Sequence, residues 1–227
     1  MTESVLTTQL RITGGNRTFV RGDERVRALR DVELELRGGE FVALRGPSGS
    51  GKSTLLLVLA GWEQLDEGVA AVVDERGSHA PSDLDWSRMG IVPQSLGLMT
   101  DLTAQENIML PARLAKLSTN PDSGDGYPRA VMNRLDVDKL KNAMSGELSL
   151  GEQQRVAVAR ALVLRQPIVL ADEPSTHQDA QHGDAVFTAL RSAAEQGAIV
   201  VVATHDPAGL DYADRVLTMS DGELRED

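Results

Sequence analysis

The chain contains no cysteine, which removes disulfides and thiolate metal sites together and fits a reducing compartment. Aromatic residues are scarce, with three Phe, two Trp and two Tyr among 227 residues, so each must be weighed as core filling or as a stacking surface. No apolar run approaches the length of a membrane span; the longest, residues 198–203, is strand-sized. The opening Met1-Thr2-Glu3-Ser4 lacks the basic start and apolar stretch of a secretory signal. A soluble chain is therefore predicted, with any work at a membrane done through a partner. Cationic residues are also short. The formal charge is −11, and neutralising a nucleic-acid backbone needs clustered Lys and Arg, so no nucleic acid is expected as the main partner. The length suits one large α/β domain or a domain with an inserted lobe.

What the chain does have is a stretch of unusual spelling, Gly46-Pro47-Ser48-Gly49-Ser50-Gly51-Lys52-Ser53-Thr54. An apolar run at 41–44 reads as the strand before it, and residues 55–60 read as a helix closed by Gly61. Strand, glycine-rich loop and helix together are the context of a phosphate-binding loop. Gly46, Gly49 and Gly51 allow backbone conformations that turn successive N–H groups inward on an anion. The helix adds its positive end, Lys52 a point charge for the outer phosphates, and Ser53 a hydroxyl placed to ligate Mg²⁺.

In chain order, residues 5–12 and 32–36 read as strands, the second strictly alternating. Between them Phe19 precedes a polar turn, Arg21-Gly22-Asp23-Glu24, with the look of a hairpin. Phe19 is either core filling or a surface group for stacking on a base, and sequence physics alone favours core. Residues 69–73 read as a strand, 79–88 as a polar connection, and 91–93 as a short apolar run ending at Gln94. Over 95–147 Leu110, Leu114 and Leu117 recur at near-helical spacing, 119–128 is rich in Pro, Gly and Asp, and 131–140 is helical again, which predicts a helical lobe with an exposed loop. Leu148 to Arg155 follows, then a helix over 156–165 stopped by Pro167. Ser149 and Glu152 have the spacing of a capping box, although a bare helix start can also hold an anion. The apolar run 168–171 reads as a strand covered on both faces and ends at Asp172-Glu173, carboxylates placed where open α/β sheets bind ligands. Residues 184–195 read as a helix. The run 198–203 leads to His205 at the same sheet edge, and 215–220 with Asp221-Gly222 completes a final hairpin.

The phosphate loop, Gln94, the Leu148–Gln154 stretch, the strand ending at Asp172-Glu173, Asp179 and His205 stand in an order that resembles an ATP-binding cassette ATPase, the nucleotide-binding subunit of an ABC transporter. The Ser149 stretch is the most diagnostic part. The resemblance implies an α/β phosphate-loop NTPase: a RecA-like core with a mainly parallel sheet and an N-terminal antiparallel β subdomain, over 1–94 and 150–227, with an inserted α-helical subdomain over 95–149. It implies that Phe19 stacks on adenine, against the core reading. Gly46, Ser48, Gly49, Ser50, Gly51, Lys52, Ser53 and Thr54 would hold the phosphates, with Mg²⁺ on Ser53, Gln94 and Asp172. Glu173 would polarise the attacking water, His205 contact the γ-phosphate, and Gln94 report to the membrane subunit. Ser149, Gly151 and Glu152 would close on ATP held by a second copy or a paralogue, and Asp179 would cross that dimer interface. ATP and Mg²⁺ are the implied cofactors, and an integral-membrane permease and a second ATPase subunit the implied partners. The implied location is cytoplasmic, peripheral on the inner face of the cell membrane.

Residues 19–31, 102–107 and Leu110-Pro111 resemble more particularly the ATPases of macrolide-export, lipoprotein-release and cell-division systems. The sequence departs from the family pattern at Leu150, where a first glycine is usual, and at Glu152, where Gln is usual. It departs also at Arg45 before the loop and at Ser175-Thr176-His177-Gln178, where Thr-Gly-x-Leu is usual. DNA-repair cassettes are excluded by the short lobe and the absence of cysteine, and translation-type proteins by the single cassette. A module that binds ATP but hardly turns it over is the alternative, because a bulky Leu150 at a close backbone approach can hold a dimer apart.

Overall fold

The computed structural model of the chain describes residues 8–22 and 24–226. The chain begins with two long paired strands, β1 (Gln9–Arg21) and β2 (Glu24–Arg37), then β3 (Phe41–Arg45) and helix α1 (Lys52–Leu59). Strands β4 (Glu67–Asp74), β5 (Gly77–His79) and β6 (Met89–Val92) follow. Next come the short helices α2 (Ala104–Ile108), α3 (Leu110–Leu114) and α4 (Tyr127–Arg134), and the longer α5 (Leu150–Leu162). The remainder alternates: β7 (Ile168–Asp172), α6 (Ala180–Glu195), β8 (Ile199–Ala203), α7 (Pro207–Asp211), β9 (Arg215–Ser220) and β10 (Glu223–Glu226).

Two sheets result. β2-β1-β4-β5 is antiparallel throughout. The other runs β10-β9-β3-β8-β7-β6, parallel except for its edge strand β10. The α/β class with a separate antiparallel sheet is as the sequence predicts. The central strands β3, β7 and β8 are apolar throughout except for Arg45 and Asp172 at the carboxyl ends of β3 and β7, because both faces are covered. Alternate side chains go to opposite sides: Phe41, Val169, Ala171, Val200 and Val202 join one core cluster with α2, α4, α5 and α6. Val42, Leu44, Ile168, Leu170, Ile199 and Val201 join the other, with α1 and the inner face of the β1–β2 pair. The parallel pairing brings the carboxyl ends of β3, β8, β7 and β6 to one edge, and the residues of the site described below hang from that edge or from α5 and the β1–β2 pair.

Several expectations need correcting. The first strand is not confined to residues 5–12. It runs from Gln9 to Arg21, with register shifts around Gly15 and Arg17 that interrupt the alternation; residues 5–7 lie outside the described residues. The hairpin at Gly22 is present, with Asp23 outside the described residues. The near-helical spacing of Leu110, Leu114 and Leu117 corresponds to a helix only as far as Leu114, where α3 stops, and Leu114 and Leu117 are 54% and 55% exposed. The core contacts there come instead from Pro111 and Ala112. The helix expected over 131–140 is α4 followed by a separate 3-10 turn. The helix expected over 156–165 begins six residues earlier, at Leu150, because its cap is Ser149.

Candidate functional site

Residues 46–51 leave the end of β3 and enter α1 through Gly51, whose φ of 110° is open to glycine alone among common residues. A side chain at Gly46 would collide with the Met219 carbonyl, and one at Gly51 with that of Ala28. The loop is thus pressed between β9 and β2. No side chain caps α1, so its first N–H groups remain available to an anion. Lys52 donates its ammonium to the carbonyls of Gly46 (2.7 Å) and Pro47 (3.0 Å), tying the side chain back across the loop. Ser50 is buried within the loop, and its carbonyl accepts from Gly222 N–H at 3.0 Å.

An open cleft of about 720 Å³ lies over this loop, a size in the range of small-molecule sites. It gathers Phe19, Gly46, Ser48, Gly49, Gly51, Lys52, Ser53, Thr54, Gln94, Asp172, Glu173 and His205. Phe19 is not core: it is 36% exposed, pairs with Val26 across the hairpin, and has the Arg17 guanidinium 4.7 Å from its ring centroid. Its ring is available for stacking, as the resemblance implies and the core reading does not. Residues that sequence reasoning missed complete the wall: Val26, Ala28, Gln154, Thr176 and His177. The strand pairing of Val26 with Phe19 could have signalled the first, and Gln154 sits inside the stretch already singled out.

Asp172 ends β7 and is buried. Burial pushes its carboxyl above the ordinary range, partly offset by a hydrogen bond from the Ser53 hydroxyl. Glu173 follows with φ 52°, its N–H bonded to Ala203 O at 2.8 Å. One Glu173 oxygen meets His205 Nδ1 at 2.9 Å; the other, Oε2, is buried without a hydrogen-bond partner. The Glu173 hydrogen bond and charge raise the pKa of His205 above its ordinary value. Ser53, Gln94 and Asp172 supply only oxygen donors to one cleft, which fits Mg²⁺, and the desolvated Asp172 is the group a cation beside it would relieve. Among the described residues no group of three or more His, Cys, Asp or Glu forms a rival metal site.

Ser149, Gly151, Glu152 and Asp179 lie outside the cleft. Ser149 caps α5: its N–H and hydroxyl each donate to Glu152 Oε2 at 2.9 Å, and its oxygen accepts from Glu152 N–H at 3.3 Å. These bonds hold the Glu152 pKa below the usual carboxylate range. Leu150 beside it is 56% exposed. Asp179 caps α6, accepting from His182 N–H at 2.9 Å. Within one chain, then, a phosphate cleft and a capped helix start with an exposed Leu150 are presented separately.

Strand, glycine loop, helix and acidic strand end together define the class, a phosphate-loop ATPase cassette. The chain belongs to the ABC transporter family, whose sequence profile matches residues 29–176. It is 36% identical over 226 residues to the lipoprotein-releasing system ATP-binding protein LolD of Zymomonas mobilis, covering 96% of this chain and 95% of that protein. It is 36% identical over 224 residues to a macrolide export ATP-binding/permease protein, MacB 2, of Yersinia pestis, covering 96% of this chain but 32% of that protein. The chain thus spans about a third of the MacB relatives and nearly all of LolD. Among solved structures, the dimeric bacterial ABC transporter cassette MJ0796 superposes with a TM-score of 0.84 at 33% identity, covering 96% of this chain and 97% of that one. A post-hydrolysis state of the same cassette, with ADP and Pi, gives 0.82. The chain is an ATP-binding cassette and an ATPase.

Proposed function

We propose that the chain is the ATPase subunit that energises an integral-membrane permease, working as a dimer that encloses two ATP. In this reading Phe19 stacks on adenine, the N–H groups of residues 46–54 and Lys52 hold the phosphates, and Ser53, Gln94 and Asp172 hold Mg²⁺. The ion would neutralise charge on the phosphoryl oxygens. Glu173 orients the attacking water and draws off its proton, and His205 faces the γ-phosphate. Ser149, Gly151, Glu152 and Asp179 serve the ATP of the second subunit. Residues 1–94 and 150–227 act as the core and 95–149 as the inserted helical lobe.

The observation that carries the hydrolytic part is the Glu173 carboxylate. One oxygen is fixed by His205 and the other is a buried acceptor with no partner, on the wall of the cleft that holds Lys52. A buried unpaired acceptor is costly, and a water donating to it removes that cost while being held for in-line attack. Membrane coupling is supported by a second, apolar cleft of about 390 Å³ that includes Leu57, Trp62, Ile91 and Pro93 and shares Ser53, Gln94 and Asp172 with the first. No helix among the described residues is long and apolar enough to cross a membrane, so the subunit would sit on the cytoplasmic face through its permease. The likeness to LolD and MacB supports a permease of the lipoprotein-release or export kind.

Glu173→Gln keeps the fold and removes the base. With saturating ATP and Mg²⁺ this variant is expected to elute as a dimer on size-exclusion chromatography. A monomer at every ATP concentration would sink the proposal.

A further inference from the structure

The sequence departs from its family at Gln178, the residue before the Asp179 cap of α6, and the structure gives that side chain two partners. Its Nε2 donates to Gly151 O in the first turn of α5 at 2.8 Å. Its Oε1 accepts from Arg155 Nη1 at 2.9 Å. Arg155 is buried and donates its Nε to Leu135 O, just past α4, at 3.0 Å. Close approach accompanies the bonds: a side chain at Gly151 would meet the His177 carbonyl at 2.9 Å. A second bond joins α5 to the loop after β7, and another fixes Asp179 within its own turn. Gln154 Nε2, also on α5, donates to Glu173 O at 3.1 Å, and His182 Nδ1 reaches Asp179 Oδ1 at 2.9 Å. The usual residue at position 178 is apolar and can make neither amide bond.

From this geometry we infer that Gln178 is a positioning residue that fastens the Asp179 turn to the Ser149–Glu152 turn, so that both are offered to the second subunit as one preassembled surface. The inference rests on the dimeric reading above. Asp179 and Ser149 come from different stretches of chain, and a dimer that must be touched by both gains if their relative position is set beforehand. Exposed Leu150, in place of a flexible glycine, stiffens the same turn. The Gln178 side chain does not line the nucleotide cleft, although His177 before it does, so its influence should appear in association and not in the binding of nucleotide to one chain.

The test uses the full chain in the Glu173→Gln background with ATP and Mg²⁺, and reads two quantities. One is the protein concentration at half-dimerisation; the other is the affinity of the dilute monomer for a fluorescent ATP analogue. Gln178→Met, apolar and of similar length, is expected to raise the half-dimerisation concentration about tenfold or more, since two clamps are lost per dimer, and to leave monomer affinity unchanged. Gln178→Glu keeps the acceptor for Arg155 and loses the donor to Gly151, so it should fall between the two. It also stands in if Gln178→Met melts without a cooperative transition. Equal dimerisation of the parent and both variants overturns the inference, as does a loss of monomer affinity equal to the loss of dimerisation. Failure of Glu173→Gln alone to dimerise overturns the dimeric reading itself and the inference with it.

Discussion

Glu173 and His205 show how residue-scale chemistry is built from backbone position. Glu173 occupies the left-handed region at φ 52°, a conformation costly for a residue with a side chain, and is held there by its N–H to Ala203 and by Gln154 and Thr176 donating to its carbonyl. That bend sets its carboxylate against His205, whose ring is otherwise open to solvent, with the side chain 79% exposed. The folded pKa of His205 is raised, so the pair contributes stability that is fully present below the ordinary value of 6.5 and is lost as pH rises through the elevated folded value. An NMR titration should put the His205 midpoint above 6.5, and Glu173→Gln should bring it down, because the carboxylate charge disappears and only a neutral amide oxygen is left to accept. A midpoint indifferent to that substitution would contradict the geometry. Most of these residues were legible in the sequence because each ends an apolar run. The orphan Oε2 was not, since it depends on which neighbours the bent backbone leaves within reach.

At the scale of elements, α5 carries two duties on one residue. Ser149 is the cap that lets a helix start beside an exposed Leu150, and in the proposed dimer it also meets a phosphate. The two separate by substitution. Ser149→Ala should cost about 1 kcal/mol of stability on denaturant unfolding through the lost cap. Ser149→Asp should recover part of that stability, since its carboxylate can still accept from Glu152 N–H while repelling the Glu152 carboxylate, and should lose ATP-driven dimerisation, because a carboxylate is set against phosphate. If the Asp variant dimerises normally, Ser149 is a cap alone. The Ser149 and Glu152 spacing made this capping box readable before any coordinates, whereas two other elements misled. β1 hides its length because the shifts between Ile12 and Arg17 break the period of two. The spacing of 110, 114 and 117 overstated the helix, because α3 is only five residues long and ends at Leu114.

At the scale of the whole molecule, one cleft gathers the residues that the proposed function assigns to a single ATP, and those it assigns to the ATP of a second subunit lie outside it. Phe19, the loop, Gln94, Asp172, Glu173 and His205 meet in it, while Ser149, Gly151, Glu152 and Asp179 face elsewhere. That separation could not be read from residue order, which places the Ser149 stretch between Gln94 and Asp172 as though all belonged to one site. Parallel strand pairing collects one set at a sheet edge, and the capped start of α5 carries the other set away from it. The charge of −11 adds repulsion between two copies, so association should depend on bound nucleotide and Mg²⁺ and strengthen with moderate salt.

The central claim, a site shared between chains, is tested most directly by mixing two inactive variants. Lys52→Ala spoils the phosphate loop and keeps the Ser149 turn; Ser149→Arg spoils that turn and keeps the loop. Each alone should hydrolyse ATP at background, and their equimolar mixture should regain ATPase activity, because the mixed dimer holds one site with both halves intact. A mixture that stays at background, while size-exclusion shows mixed dimers forming with ATP, would contradict the shared site.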